Sequence, residues 1–117
     1  MKFFFHAEAD EEFIKAVEYY EECEAGLGLD FAREIYACIQ NALDYPTMWP
    51  EIEGDVRRCL VHRFPYGVLY SIEPHGIFIL AVMHLHRGPD YWKHRPRMGR
   101  TSRAKLVETP DTDTTRS

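Results

Sequence analysis

The sequence predicts an α+β domain of order β-α-α-β-β-β, a helical hairpin packed on a small, mainly antiparallel sheet. Three observations carry that expectation. Apolar residues recur at helical spacing from about Glu8 to Leu43, the apolar period becomes two at Val56, and glycines and prolines fall between the segments. With 117 residues, 45% of them hydrophobic, the chain is sized for one domain around one core.

Lys2–His6 is a short Phe-rich run that reads as a first strand. Phe13, Ala16, Val17, Tyr20 and Cys23 then follow one helical stripe, and Glu11, Glu12, Lys15, Glu18, Glu21 and Glu22 take the remaining surface. Gly26 and Gly28 end this helix, and Asp30 is placed to cap a second. The second stripe is Phe31, Ile35, Cys38 or Ile39, Ala42 and Leu43, closed by Pro46 and Pro50. Val56–Phe64, Tyr66–Glu73 and Ile77–Leu85 read as strands, with Pro65 and the Pro74-His75-Gly76 turn between them. Short connections make them an antiparallel meander, and the last strand is apolar enough to be covered on both faces. The expected core is Phe13, Val17, Tyr20, Phe31, Ile35, Ile39, Val68, Tyr70 and Ile79. After Trp92 the large apolar residues thin out, so residues 1–96 read as the domain and 97–117 as a flexible polar tail.

The formal net charge is −5, but it is unevenly spread. Residues 1–55 hold 14 Asp/Glu against 3 Lys/Arg, a net −11, whereas residues 56–105 hold 10 Lys/Arg against 2 Asp/Glu, a net +8. Such asymmetry fits a basic functional face backed by an acidic one, or charges that simply follow solvated faces. No stretch has the ~20 apolar residues of a membrane span, and the opening Phe-rich run is too short for a secretory segment, so the chain reads as cytoplasmic with no membrane partner. Cys23, Cys38 and Cys59 are widely spaced, which fits three reduced, mostly buried thiols.

No GxGxxG, Walker, HExxH or GxSxG pattern is present. His84 and His86 share a strand face, but no nearby residue completes a metal site, and none is assigned. His62 fits a structural role better than an acid–base one. The arginines carry more. Arg58 lies on one face of its strand, Arg57 and Arg63 on the other, and Arg87 ends the last strand just before Tyr91 and Trp92. Clustered guanidiniums beside aromatics suit an anion, a stacked base or a protein partner. Alternatively, Arg57 or Arg63 pairs with helix carboxylates and Tyr91-Trp92 plugs the sheet.

The segments "VRRCLVHRFPYGVLYSI" and "IFILAVMHLHRGPDYW", preceded by "AVEYYEE", "GLGLDFAREI" and "PTMWPEI", resemble the RelE/ParE superfamily of bacterial type II toxins, which includes plasmid stabilisation proteins. The likeness covers about residues 3–95. It implies the fold above, growth inhibition, and a cognate antitoxin that wraps the toxin with an extended, partly helical segment. It implies no cofactor and leaves a homodimer open. RelE-like members cut mRNA in the ribosomal A site with basic residues on the second and third strands, an arginine ending the last strand and a tyrosine near the C-terminus. Arg58 and Arg87 match two of these positions and Tyr91 lies near the third. The remaining one falls on Gly67, with Arg63 the nearest substitute. In such an endoribonuclease Arg58 and Arg87 would stabilise phosphate charge, Tyr91 or His86 would move a proton or stack a base, and Trp92 would bind target. ParE-like members instead bind DNA gyrase and need no nuclease set. Ribosome-bound mRNA, gyrase, and a degenerate member without toxicity all remain open.

Overall fold

The computed structural model describes residues 2–88, 90–95 and 105–108. Its elements are β1 (Lys2–Phe5), α1 (Ala7–Cys23), α2 (Leu27–Asp44), β2 (Glu51–Glu53), β3 (Val56–Leu60), β4 (Tyr66–Glu73), β5 (Gly76–His84) and β6 (Lys105–Glu108). The fold is α+β, with the expected order and two added edge strands. The sheet runs β2-β3-β4-β5-β1-β6, parallel only between β1 and β5. Of the expected tail, only residues 105–108 are described, as the strand paired to β1; the rest lies outside the described residues.

The helical hairpin covers one face of the sheet. Phe3, Phe5, Phe13, Phe31, Ile35, Ile39, Val68, Tyr70 and Ile79 are buried there, and Val17 and Tyr20 pack against them half-exposed. Cys38 and Ile39, between which spacing did not choose, are both buried. Cys23 differs from its expected burial: it is exposed at the end of α1. Phe31 sits at the centre, its ring 4.9–6.3 Å from those of Phe13, Tyr20, Phe64 and Tyr66. Each such aromatic buries about 150–250 Å², which makes this layer the main source of stability.

The second helix begins earlier than expected. Its N-cap is Gly26 in the left-handed conformation, φ 89°, and Asp30 lies in its first turn. The reason is Glu21, whose carboxylate reaches forward from α1 and accepts the Gly26 and Gly28 amides at 3.0–3.1 Å. A carboxylate from the preceding helix does the work of a cap at the positive end of the dipole. Gly28 also lets the helices close: a Cβ there would stand 2.6 Å from the Val17 carbonyl oxygen.

The strand expected over Val56–Phe64 stops at Leu60, because Arg63 takes φ 73° in the turn ahead of Pro65. Strand β2, acidic and exposed, has a single apolar residue, Ile52, and is too short to leave a period in the sequence. Strand β5 is buried along nearly its whole length, as its apolar run implied. On the sheet's other face Val56, Leu69, Phe78, Leu80, Ala81 and Met83 form a second, smaller cluster, closed by Trp92.

Candidate functional site

The candidate site grows from a gap in the sheet. Strand β1 pairs with β5 only over Gly76–Ile79, and the His6 amide adds one further bond to the Ile79 carbonyl. Leu80 is then the extra residue of a bulge, because Leu69 faces Ala81 while Tyr70 faces Ile79. Beyond this point the edge of β5 would present bare backbone groups, which are costly when buried. Side chains meet them instead. Glu12 of α1 accepts the Val82 amide at 3.0 Å, and Arg95 donates to the Leu80 carbonyl at 3.0 Å.

Glu12 and Arg95 also hold each other. Two guanidinium nitrogens reach the two carboxylate oxygens at 3.1 and 2.7 Å, across 83 residues of sequence. The Arg95 side chain is 4% exposed and that of Glu12 15%. Arg95 Nε lies 3.0 Å from Glu8, an ion-pair contact without hydrogen-bond alignment. The pair thus fastens residues 90–95 onto the sheet and seats Trp92 in the second cluster.

Tyr91 lies between this pair and Arg87. The Arg87 guanidinium sits 3.8 Å and that of Arg95 4.9 Å from its ring centre. The Tyr91 hydroxyl is buried, and burial first, then the Glu12 charge, push its pKa well above the usual phenol range. Arg87 remains about half exposed, 4.0 Å from Glu12. In front of it opens a cleft of about 220 Å³ lined by Glu12, Lys15, Tyr19, Tyr66, Val82 and His84, continuous in lining with one of about 360 Å³ that adds Glu8, Glu11 and Arg95.

The structure brings some of the expected site residues together and separates others. Arg87 and Tyr91 touch. Trp92 is core, 4% exposed. His86 stands exposed, its ring 5.0 Å from that of His84 and its amide donating to His84 Nδ1. Arg63 does not join them: Asp30 and Glu34 of α2 draw it away, at 3.5 and 3.8 Å. Arg57 is equally structural, donating to the Trp49 carbonyl at 2.6 Å and pairing with Glu51. Arg58 lies on the open sheet face with its stem over Gly67, where a Cβ would stand 3.1 Å from Arg58 Cγ and 3.5 Å from Leu85. It has no ion-pair partner among the described residues. No group of three or more His, Cys, Asp or Glu is placed to hold a metal among those residues.

Sequence reading missed Glu12 and Arg95. Glu12 stands on the inward face set by Ala9, Phe13 and Ala16, and a carboxylate on a buried stripe was the available sign. Arg95 looked like one of many tail cations.

The family described as ParE toxin of type II toxin-antitoxin system, parDE, matches residues 3–89. No curated protein matches significantly.

Proposed function

The chain belongs to the ParE toxin family of type II toxin–antitoxin systems, and from that membership we propose that it arrests growth by binding a protein target, DNA gyrase, rather than by cutting mRNA. Family membership implies an antitoxin partner. One observation carries the choice of target: folding mixes the charges that the sequence keeps apart. Glu8, Glu12, Asp30, Glu34, Glu51 and Glu53 of the acidic half pair with Arg57, Arg63, Arg87, Lys93 and Arg95 of the basic half. The cleft at Arg87 therefore carries Glu8, Glu11 and Glu12 beside its three cations. Carboxylates at that range repel a phosphodiester, and they weaken the phosphate neutralisation on which nucleic-acid affinity rests.

The other nuclease positions support the same reading. The missing third-strand arginine falls at Gly67, and the Arg58 stem already fills the space above it. The Tyr91 hydroxyl is buried and its ring is covered by two guanidiniums, an arrangement that does not favour proton transfer to a substrate. What remains open to a partner is Arg87, about half exposed, together with the half-buried Arg58 and its apolar neighbours Leu60 and Leu85, 54% and 37% exposed. That combination suits a protein hot spot.

Two assays on the purified chain separate the targets. Supercoiling by DNA gyrase should fall with added toxin, and primer extension on translating ribosomes should show no new mRNA ends. Codon-dependent cleavage with supercoiling unchanged would reverse the assignment.

A further inference from the structure

The thiols of Cys38 and Cys59 take no part in the site just described. Their sulfurs lie 3.0 Å apart, about 1 Å beyond a covalent S–S bond. Cys38 is on the sheet-facing side of α2 and Cys59 on the helix-facing side of β3, 5% and 2% exposed. Cys38 Sγ also lies 3.3 Å from the Leu60 carbonyl oxygen, so the pair sits fixed at the seam between helix and sheet. The same seam carries the Arg63 ion pairs to Asp30 and Glu34.

We infer that Cys38 and Cys59 are a modification site: hydrogen peroxide converts them to an intramolecular disulfide that staples α2 to β3. The Cys59 thiolate attacks one peroxide oxygen, the O–O bond breaks, and hydroxide leaves, giving Cys59 sulfenic acid. The Cys38 sulfur then displaces that hydroxyl as water and the S–S bond forms. Two thiols lose two electrons and two protons, and the peroxide becomes two waters. Within the pair the Cys59 pKa is lowered and the Cys38 pKa raised, which fits Cys59 as attacker and Cys38 as resolver, and the 3.0 Å separation serves either order. The bridge closes the segment 38–59, and a loop of that size restrains the unfolded chain more than the folded one. Oxidised toxin is then the longer-lived form against unfolding.

The test uses the full chain carrying Cys23→Ser, which removes the exposed thiol. After hydrogen peroxide, the protein is unfolded, alkylated and mapped by mass spectrometry. The expected product is lighter by two hydrogens, unalkylated at Cys38 and Cys59, linked between those residues, and melts about 5 °C or more higher until dithiothreitol restores it. The mapping needs no core substitution, so a variant that fails to fold cannot obscure it. Full alkylation of both thiols after peroxide, links only between chains, or a lowered Tm on oxidation would each overturn the inference.

Discussion

The two faces of the sheet are sealed by different physics. Against one face, α1 and α2 lay 35 residues of helix whose buried side chains are almost all apolar. Against the other, the short segment 90–95 contributes one large apolar plug, Trp92, and is held by the Glu12–Arg95 pair. Apolar burial is non-directional and grows with area. A buried ion pair depends on both partners and on a particular geometry. The helical side therefore tolerates change in degree, whereas the Glu12 side should fail as a unit.

That contrast is tested most strongly on the helical side. Phe31→Ala empties the centre of the aromatic layer and should cost about 3–5 kcal/mol, read from denaturant midpoints. A loss below about 1 kcal/mol would mean that this layer is not the main store of stability. Glu12→Ala should cost about 3 kcal/mol, because it strands a buried guanidinium and the Val82 amide. Unlike Phe31→Ala, it should release residues 90–95 first, seen as new cleavage there under conditions where the helices resist protease. Uniform loss of protection across the chain would erase the distinction between the faces.

A smaller effect sharpens it through pH. His6 is buried at the start of α1, and its Nδ1 accepts the Glu8 amide. Burial chiefly, with the Arg95 charge adding, lowers its pKa. The unfolded chain thus binds this proton more readily than the folded one. The contribution is fully present above the unfolded value of about 6.5 and is lost as pH falls through it toward the folded value. The stability gap between the native chain and His6→Asn, a residue that still caps, should therefore narrow between about pH 7.5 and pH 5. A constant gap would show that His6 is not held neutral.

The same contrast explains what could be read from the sequence. Phe13, Phe31, Ile35 and Ile39 announce themselves by spacing, because a helix face repeats and a sheet face alternates. The hairpin, the meander and the double burial of β5 were legible for that reason. Glu12 and Arg95 were not, since a pair 83 residues apart leaves no period. The early start of α2 was hidden likewise, because its cap comes from Glu21 in the preceding helix. At the candidate site, Arg87 could be named from its place at the end of the last long strand, whereas Arg58, named the same way, lies apart over Gly67. The capture of Arg63 by Asp30 and Glu34 depends on how α2 lies over the turn before β4. Strand β2, three exposed residues long with Ile52 its one apolar side chain, is too short to offer a period.

The most direct measurement concerns Arg87, where a half-exposed cation stands on the platform that Glu12, Tyr91 and Arg95 build. Its ion pair is long and exposed, so Arg87→Ala should change stability by no more than about 1 kcal/mol. Its effect on activity should be the reverse in scale: induced expression should no longer arrest growth, while the melting curve stays close to that of the native chain. Arg57→Ala, which breaks only structural contacts, should keep its toxicity if it folds. Arrest that persists in Arg87→Ala, or that disappears only because the variant unfolds, would contradict the assignment of this face as the one that meets the target.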